Sequence, residues 1–145
     1  MKAVVQRVKG AKLYCEGKLV SEIGYGLVVF FGVAKGDERS AADILAKKIS
    51  NLRIFPDENG KSNLSVKDVN GEILAVSQFT LIGDVSHGNR PGFSYAEEPI
   101  AANDMYEYFL TALLANGIKP KKGVFGGDMT IEQINDGPFT IIYDI

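Results

Sequence analysis

Short apolar segments separated by glycines fill the first third of the chain, and this pattern predicts β-strands. We place strands at residues 3–8, 18–23 and 26–34. The third segment, "GLVVFFGVA", is apolar on both faces. It therefore indicates a central strand that is buried from both sides.

Two later segments have the apolar spacing of α-helices. The first, "SAADILAKKISNLRIF" at residues 40–55, has Ser40 and Asp43 at the spacing of a capping box. The second covers residues 100–116 and is stopped by Gly117.

The remaining strands are predicted from turn signals and apolar content. An Asn-Gly pair introduces a strand at residues 72–82, and a glycine-rich loop follows at residues 83–99. Three short strands complete the chain, at residues 122–125, 129–134 and 139–144. We therefore predict one α/β domain, residues 1–145, in which mixed β-sheets pack face to face and the two helices cover one side.

Composition narrows the classes of function. Sixteen Lys and Arg against 18 Asp and Glu give a net charge of −2, which excludes a broad basic field for coating nucleic acid. An RNA partner would have to be held locally. The longest apolar run, residues 27–34, is too short for a membrane span, and one cysteine allows no internal disulfide. These features predict a cytoplasmic protein with no membrane contact.

The side chains that usually carry catalysis are scarce. His87 is the only histidine and Cys15 the only cysteine, so we expect no metal site. A catalytic triad would need His87, which stands in the predicted glycine-rich loop "SHGNRPG". Cys15 has no basic neighbour in the sequence that would stabilise its thiolate. No phosphate-binding glycine pattern joins a strand to a helix.

Polar residues interrupt two apolar strands. In "ILAVSQFTLIG", residues 73–83, the interruptions are Ser77, Gln78 and Thr80, and burying them costs free energy unless each finds a partner. They either bond to neighbouring backbone or form a site. In "NDGPFT", Gly137 precedes Pro138. The peptide bond before a proline is the only type whose cis form costs little free energy, and glycine adopts backbone angles closed to other residues. That step is either a turn or a device that presents carbonyl groups.

These motifs resemble those of a known family. "SQFTL" and "NDGPFT", with "MKAVVQRV", "KISNLRIF", "RPGFSYA" and "FGGDM", are together similar to the D-aminoacyl-tRNA deacylases over essentially the whole chain. The resemblance implies hydrolysis, without metal or cofactor, of the ester that joins a D-amino acid to the 3′-terminal adenosine of tRNA. Glycyl-tRNA is a further substrate to consider.

The resemblance also implies site residues and a homodimer with active sites at the subunit interface. Ser77, Gln78, Phe79 and Thr80 would form the wall that receives the adenosine and the scissile carbonyl. Gly137 and Pro138 would be a cis dipeptide inserted from the partner subunit, whose main chain excludes L side chains.

The chain departs from the family pattern at two places. Phe139 stands where valine is common, and Arg90 is the only fixed positive charge in the loop "SHGNRPGF", where contacts to tRNA are expected. The segment "KPKK", residues 119–122, either compensates or is a solvated loop.

For the mechanism, we expect backbone N–H groups near Phe79 and Thr80 to hold the oxyanion while the substrate 2′-hydroxyl helps to activate water. Thr80 as nucleophile is the alternative. Two other classes remain open: a non-catalytic module that binds the 3′ end of RNA, and a purely structural oligomer.

Overall fold

Eight β-strands and two α-helices make up the fold, which the computed structural model describes over all 145 residues. In chain order they are β1 (Lys2–Cys15), β2 (Lys18–Ile23), β3 (Gly26–Gly32), α1 (Arg39–Ser50), β4 (Phe55–Pro56), β5 (Ser62–Leu64), β6 (Glu72–Ser77), α2 (Pro99–Ala115), β7 (Lys121–Lys122) and β8 (Met129–Asp144). A short 3₁₀ turn, Phe79–Ile82, follows β6. The mixed α/β class with two helices is confirmed.

Six of the strands form one continuous mixed sheet, in the order β2-β1-β3-β6-β7 with β8 on the other edge of β1. β1 pairs with β3 through residues 2–8, with β2 through residues 11–15, and with β8 along both parts. The parallel pairs β3-β6 and β6-β7 are joined through α1 and α2, as parallel strands require. The sequence predicted mixed sheets packed face to face, and the structure has one main mixed sheet of six strands and a separate hairpin of β4 and β5.

Apolar side chains cover both faces of this sheet. Leu27 and Val29 of β3 belong to the main core, together with both helices, whereas Val28 belongs to a second cluster. Since neighbouring residues of a strand point to opposite faces, the two clusters lie on opposite sides of β3. The prediction that β3 is buried from both sides is confirmed. In the main core Phe31 stacks on Phe109 of α2, with ring centroids 4.3 Å apart.

The first predicted helix was too long, and its cap was wrong. α1 ends at Ser50, and the side-chain amide of Asn51 donates to the Lys47 carbonyl at 2.7 Å. α1 begins at Arg39, with Glu38 at the cap position and no side-chain cap bond, so Ser40 and Asp43 lie inside the helix. The Asp43 carboxylate accepts from the Tyr108 hydroxyl of α2 at 3.0 Å.

The strand predicted at residues 72–82 was also too long, because β6 ends at Ser77. Its ladder with β3 closes where the Gln78 N–H donates to the Phe31 carbonyl at 2.8 Å, and β3 itself stops one residue later. With no neighbour left to pair with, the chain turns into the 3₁₀ segment.

The last two predicted strands, 129–134 and 139–144, are one strand, because β8 continues across the whole length of β1. The register shifts between them: Gln6 faces Thr140 and Val8 faces Asn135. Four residues of β8, 136–139, therefore bulge opposite the single residue Arg7.

The close approach of β3 and β6 predicts that the fold does not tolerate a side chain at Gly26. A Cβ on Gly26 would overlap the Glu72 carbonyl oxygen and lie 2.7 Å from the Glu72 nitrogen. We expect Gly26→Ala to lower the free energy of unfolding by about 3 kcal/mol or more, or to prevent folding. Gly92→Ala is the control, since its Cβ would meet nothing closer than 3.9 Å. Equal urea midpoints for the two variants would contradict this account.

Candidate active site

A cleft of about 650 Å³ opens where β6 ends. Ser77, Gln78 and Phe79 form part of its wall, and the loops at residues 93–99 and 125–129 supply most of the rest. Three of the four predicted wall residues therefore line one cavity. Thr80, the fourth, is exposed and does not line it.

The 3₁₀ turn that carries these residues is packed directly onto β3. A Cβ on Gly32 would lie 2.9 Å from the Gln78 carbonyl oxygen and 3.1 Å from the Leu81 Cβ. Only glycine allows the turn to approach β3 this closely, so Gly32 sets the position of the cleft wall.

The hydroxyl of Thr80 has one polar neighbour, the side-chain amide of Gln78, at 2.5 Å. The two side chains meet across the 3₁₀ turn, because Gln78 stands directly before it and Thr80 within it. An amide is not a general base. The geometry therefore gives the Thr80 hydroxyl no group that would activate it as a nucleophile.

Two aromatic rings flank the mouth of the cleft. Phe79 is 54% exposed, and its ring meets that of Phe93 edge to face with centroids 5.0 Å apart. Exposed aromatic faces are suited to stacking on a nucleobase. Sequence reasoning did not single out Phe93 as a site residue, although it stands in the quoted motif "RPGFSYA".

Few free positive charges surround the cleft. Lys35, on its rim, pairs with Glu98 at 3.3 Å. Arg90 is exposed on the loop and does not line the cavity. In "KPKK", Lys121 and Lys122 form ion pairs with Glu72 at 2.9 Å and Glu107 at 2.7 Å, so this segment offers less free charge than its sequence suggests.

The only histidine does not form a triad. Nδ1 of His87 lies 2.8 Å from the Ser86 hydroxyl, and both side chains are exposed on the loop. The Asp84 carboxylate accepts from the Ser86 N–H at 2.9 Å. Hydrogen bonding to the Ser86 side chain, and then to this N–H, lowers the pKa of Asp84. The carboxylate therefore contacts the serine, whereas a triad needs it on the histidine. No group of three His, Cys, Asp or Glu side chains is placed to hold a metal ion, and no helix is long and apolar enough to cross a membrane.

The Gly137-Pro138 peptide bond is cis, and the step lies in the bulge of β8. Neither residue lines the cleft of its own chain. Gly137 has a φ of +122°, a region that favours glycine. The structure thus keeps the two predicted parts of the site apart within one chain.

Arg7 fills the space inside this bulge. Its Nε lies 3.0 Å from the Asp136 carboxylate and donates to the Asp136 carbonyl at 3.2 Å, and its Nη1 donates to the Ile54 carbonyl. Only 11% of the Arg7 side chain is exposed. Sequence reasoning did not identify Arg7 as a site residue. The feature that could have indicated it is a charged side chain within the largely apolar segment "AVVQRV".

The hydroxyl of Tyr25 belongs to the same neighbourhood. Burial raises the pKa of Tyr25, the Asp136 carboxylate raises it further, and Arg7 opposes both. Tyr25 therefore stays protonated beside a carboxylate, where it can act as a hydrogen-bond donor.

The sequence comparisons identify the family to which this α/β chain belongs. The model of the D-Tyr-tRNA(Tyr) deacylase family matches residues 4–144. The chain belongs to this family of enzymes.

Curated relatives cover nearly the whole chain. Proteins named D-aminoacyl-tRNA deacylase from Geobacter sp. (strain M21) and Koribacter versatilis (strain Ellin345) are 50% and 51% identical to it over 144 residues, which is 99% of this chain and 97% of each relative.

Two solved structures share the fold. A protein named c-Myc DNA Unwinding Element Binding Protein matches with a TM-score of 0.94 and 42% identity, covering 100% of this chain and 99% of that one. A structure titled "Structural Analysis of a probable eukaryotic D-amino acid tRNA deacylase" matches with a TM-score of 0.85 over 99% and 98% of the two chains, and its 18% identity extends the likeness to the fold alone.

The bulge predicts that Gly137 tolerates no side chain. A Cβ there would lie 3.0 Å from the Phe139 nitrogen and 3.2 Å from the Arg7 Nη2, at a φ that strains other residues. We expect Gly137→Ala to destabilise the fold by about 2 kcal/mol or more. Gly60→Ala is the matched control, with a φ of +73° and nothing within 4 Å of its Cβ, and we expect it to cost only about 1 kcal/mol. Equal losses, measured by chemical denaturation, would mean that the contacts add nothing to the backbone strain.

Proposed function

We propose that this chain hydrolyses the ester bond of D-aminoacyl-tRNA and releases a free D-amino acid and tRNA. The observation that carries the proposal is the cleft, because the motif that resembles the deacylases, Ser77 to Phe79, leaves the sheet there and forms its wall. The curated D-aminoacyl-tRNA deacylases of about 50% identity support the same substrate class. The whole chain, 1–145, would act as one such domain in the cytoplasm.

The cleft suits the end of a tRNA better than its body. The exposed rings of Phe79 and Phe93 offer stacking surfaces for the terminal adenine. The scarcity of free lysine and arginine around the cleft, and the net charge of −2, argue against a long electrostatic contact with the RNA backbone. Arg90, exposed on its loop, would add one local contact to the acceptor end.

The main chain carries the chemistry in this proposal. Phe79 and Thr80 begin the 3₁₀ turn, and the first N–H groups of a helical segment have no acceptor within it. Water adds to the ester carbonyl, these N–H groups stabilise the oxyanion, and the bond to the ribose 3′-oxygen breaks as that oxygen takes a proton. The substrate 2′-hydroxyl assists the water in this proposal, because the stretch Ser77–Thr80 supplies no side-chain base. The carboxylates of Glu97, Glu98 and Asp128 line other parts of the cleft.

A homodimer completes the site in this proposal. β8 is an edge strand of sixteen residues, none of them fully buried, and it exposes Ile134 and Ile142 by 64% and 72%. An exposed edge of this length offers unpaired main-chain groups with which another chain can pair. A second copy would bring its Gly137-Pro138 step to the cleft, where main-chain atoms leave no room for an L side chain.

Two weaker alternatives follow from the same features. A module that binds the 3′ end of RNA without turnover would keep the cleft and the aromatic rings. A purely structural oligomer would keep only the edge of β8. Glycyl-tRNA fits the proposed exclusion as well as D-aminoacyl-tRNA does, because glycine has no side chain to exclude.

The proposed activity is tested by incubating the protein with D-tyrosyl-tRNA and with L-tyrosyl-tRNA, and following loss of the acyl group. We expect turnover of the D substrate alone, and an unchanged rate in EDTA. Binding without turnover would favour the RNA-binding module, while equal rates on both substrates would contradict the proposed selection. Loss of activity in EDTA with recovery on one added metal would contradict the mechanism.

The role of the main chain predicts the behaviour of Thr80→Ala. The backbone N–H survives this change, so we expect activity within about tenfold of the wild type, the scale of one ordinary hydrogen bond. Thr111→Ala is the control, because the Thr111 hydroxyl bonds only within α2. A loss of several thousandfold with the fold intact would instead make the Thr80 hydroxyl the nucleophile.

The dimer is tested by sedimentation at micromolar concentration. We expect a species of twice the 15.7 kDa of one chain. Ile142→Glu should shift it toward the monomer, whereas Ile44→Glu, on the exposed side of α1 at 47% exposure, should not. A wild type that sediments only as a monomer would overturn the cross-subunit site.

A further inference from the structure

The ring of Phe139 covers the guanidinium of Arg7. The Cζ of Arg7 lies 5.1 Å from the centroid of this ring, within the range of a cation–π contact. Phe139 is half-buried and packs against the main core, so its ring is held in place by the rest of the sheet. The core thus presents a fixed aromatic face to a nearly buried charge.

The Arg7 guanidinium is in turn in contact with the Gly-Pro step. Its Nε binds both the carboxylate and the carbonyl of Asp136, and its Nη2 lies 3.2 Å from the position of a Cβ on Gly137. A shift of the guanidinium would therefore change the backbone of residues 136 and 137. These contacts all lie along the guanidinium edge, and the aromatic ring is what restrains its face.

We propose that Phe139 is a positioning residue: its ring fixes the Arg7 guanidinium against Asp136 and Gly137, and so sets the orientation of the step that discriminates D from L substrates. The inference rests on the proposed function and adds to it a side chain that acts through Arg7.

The contact itself is tested by NMR on the free protein, which needs no substrate. An aromatic face shifts the Arg7 Nε–Hε resonance upfield and slows its exchange with water. We expect Phe139→Leu, which keeps apolar bulk but removes the ring, to lose both effects, and Phe139→Tyr to keep them. Tyr143→Leu is the matched control, because Tyr143 is a half-buried ring on the same face of β8 with no contact to Arg7. An Arg7 resonance that is the same in Phe139→Leu and in the wild type would overturn the proposal.

The functional half is tested by the ratio of D-tyrosyl-tRNA to L-tyrosyl-tRNA deacylation rates. We expect Phe139→Leu to lower this ratio by about threefold to tenfold, on the scale of one cation–π contact, and Phe139→Tyr to restore it. Tyr143→Leu should leave it unchanged, and the variants should sediment as the wild type does.

The outcomes distinguish the positioning role of Phe139 from the proposed deacylase activity. A changed Arg7 resonance with an unchanged ratio, or an equal fall in the ratio for Tyr143→Leu, would overturn the positioning role while leaving the deacylase activity in place. A wild type with no deacylase activity would overturn the proposed function, and the NMR comparison would still decide whether Phe139 fixes Arg7.

Discussion

The pairing of β1 with three other strands is the constraint on which the rest of the structure depends. β1 carries β3 and β2 along one edge and β8 along the other, so its fourteen residues fix the order of the sheet. Between their two paired stretches β8 has four residues and β1 has only Arg7, so those four residues bulge. The pairing of β1 with β8 thus places the Gly137-Pro138 step in a bulge within one long strand.

The cleft, by contrast, depends on the point at which β6 has no further strand residue of β3 to pair with. β6 leaves the sheet because β3 stops at Gly32, and the turn that follows can lie against β3 only because Gly32 has no side chain. The wall residues therefore lie where the backbone stops forming hydrogen bonds with the neighbouring strand. This arrangement suits a site that works through main-chain N–H groups, since paired strand residues have none to offer.

The two parts of the proposed site differ in how they are held. The cleft wall is fixed by close backbone approach, whereas the Gly137-Pro138 step is held by a partly buried ion pair. Removing one partner of this pair would leave the other charge uncompensated in a largely shielded position, so Arg7, Asp136 and the Phe139 ring act as a unit. Within one chain these parts lie apart, which is why a second copy enters the proposed function.

The sequence by itself determined the class of fold, because the strand and helix patterns are local and the central strand "GLVVFFGVA" is unmistakably apolar on both faces. It also determined which segments resemble the deacylases, and most of the predicted wall residues do line the cleft. It did not determine where β6 ends, that residues 129–144 are one strand, or what surrounds Arg7. Only the tertiary structure decided these, because a strand continues for as long as a neighbour pairs with it. The partner that neutralises the largely shielded charge of Arg7 is Asp136, which is likewise 129 residues away in the chain.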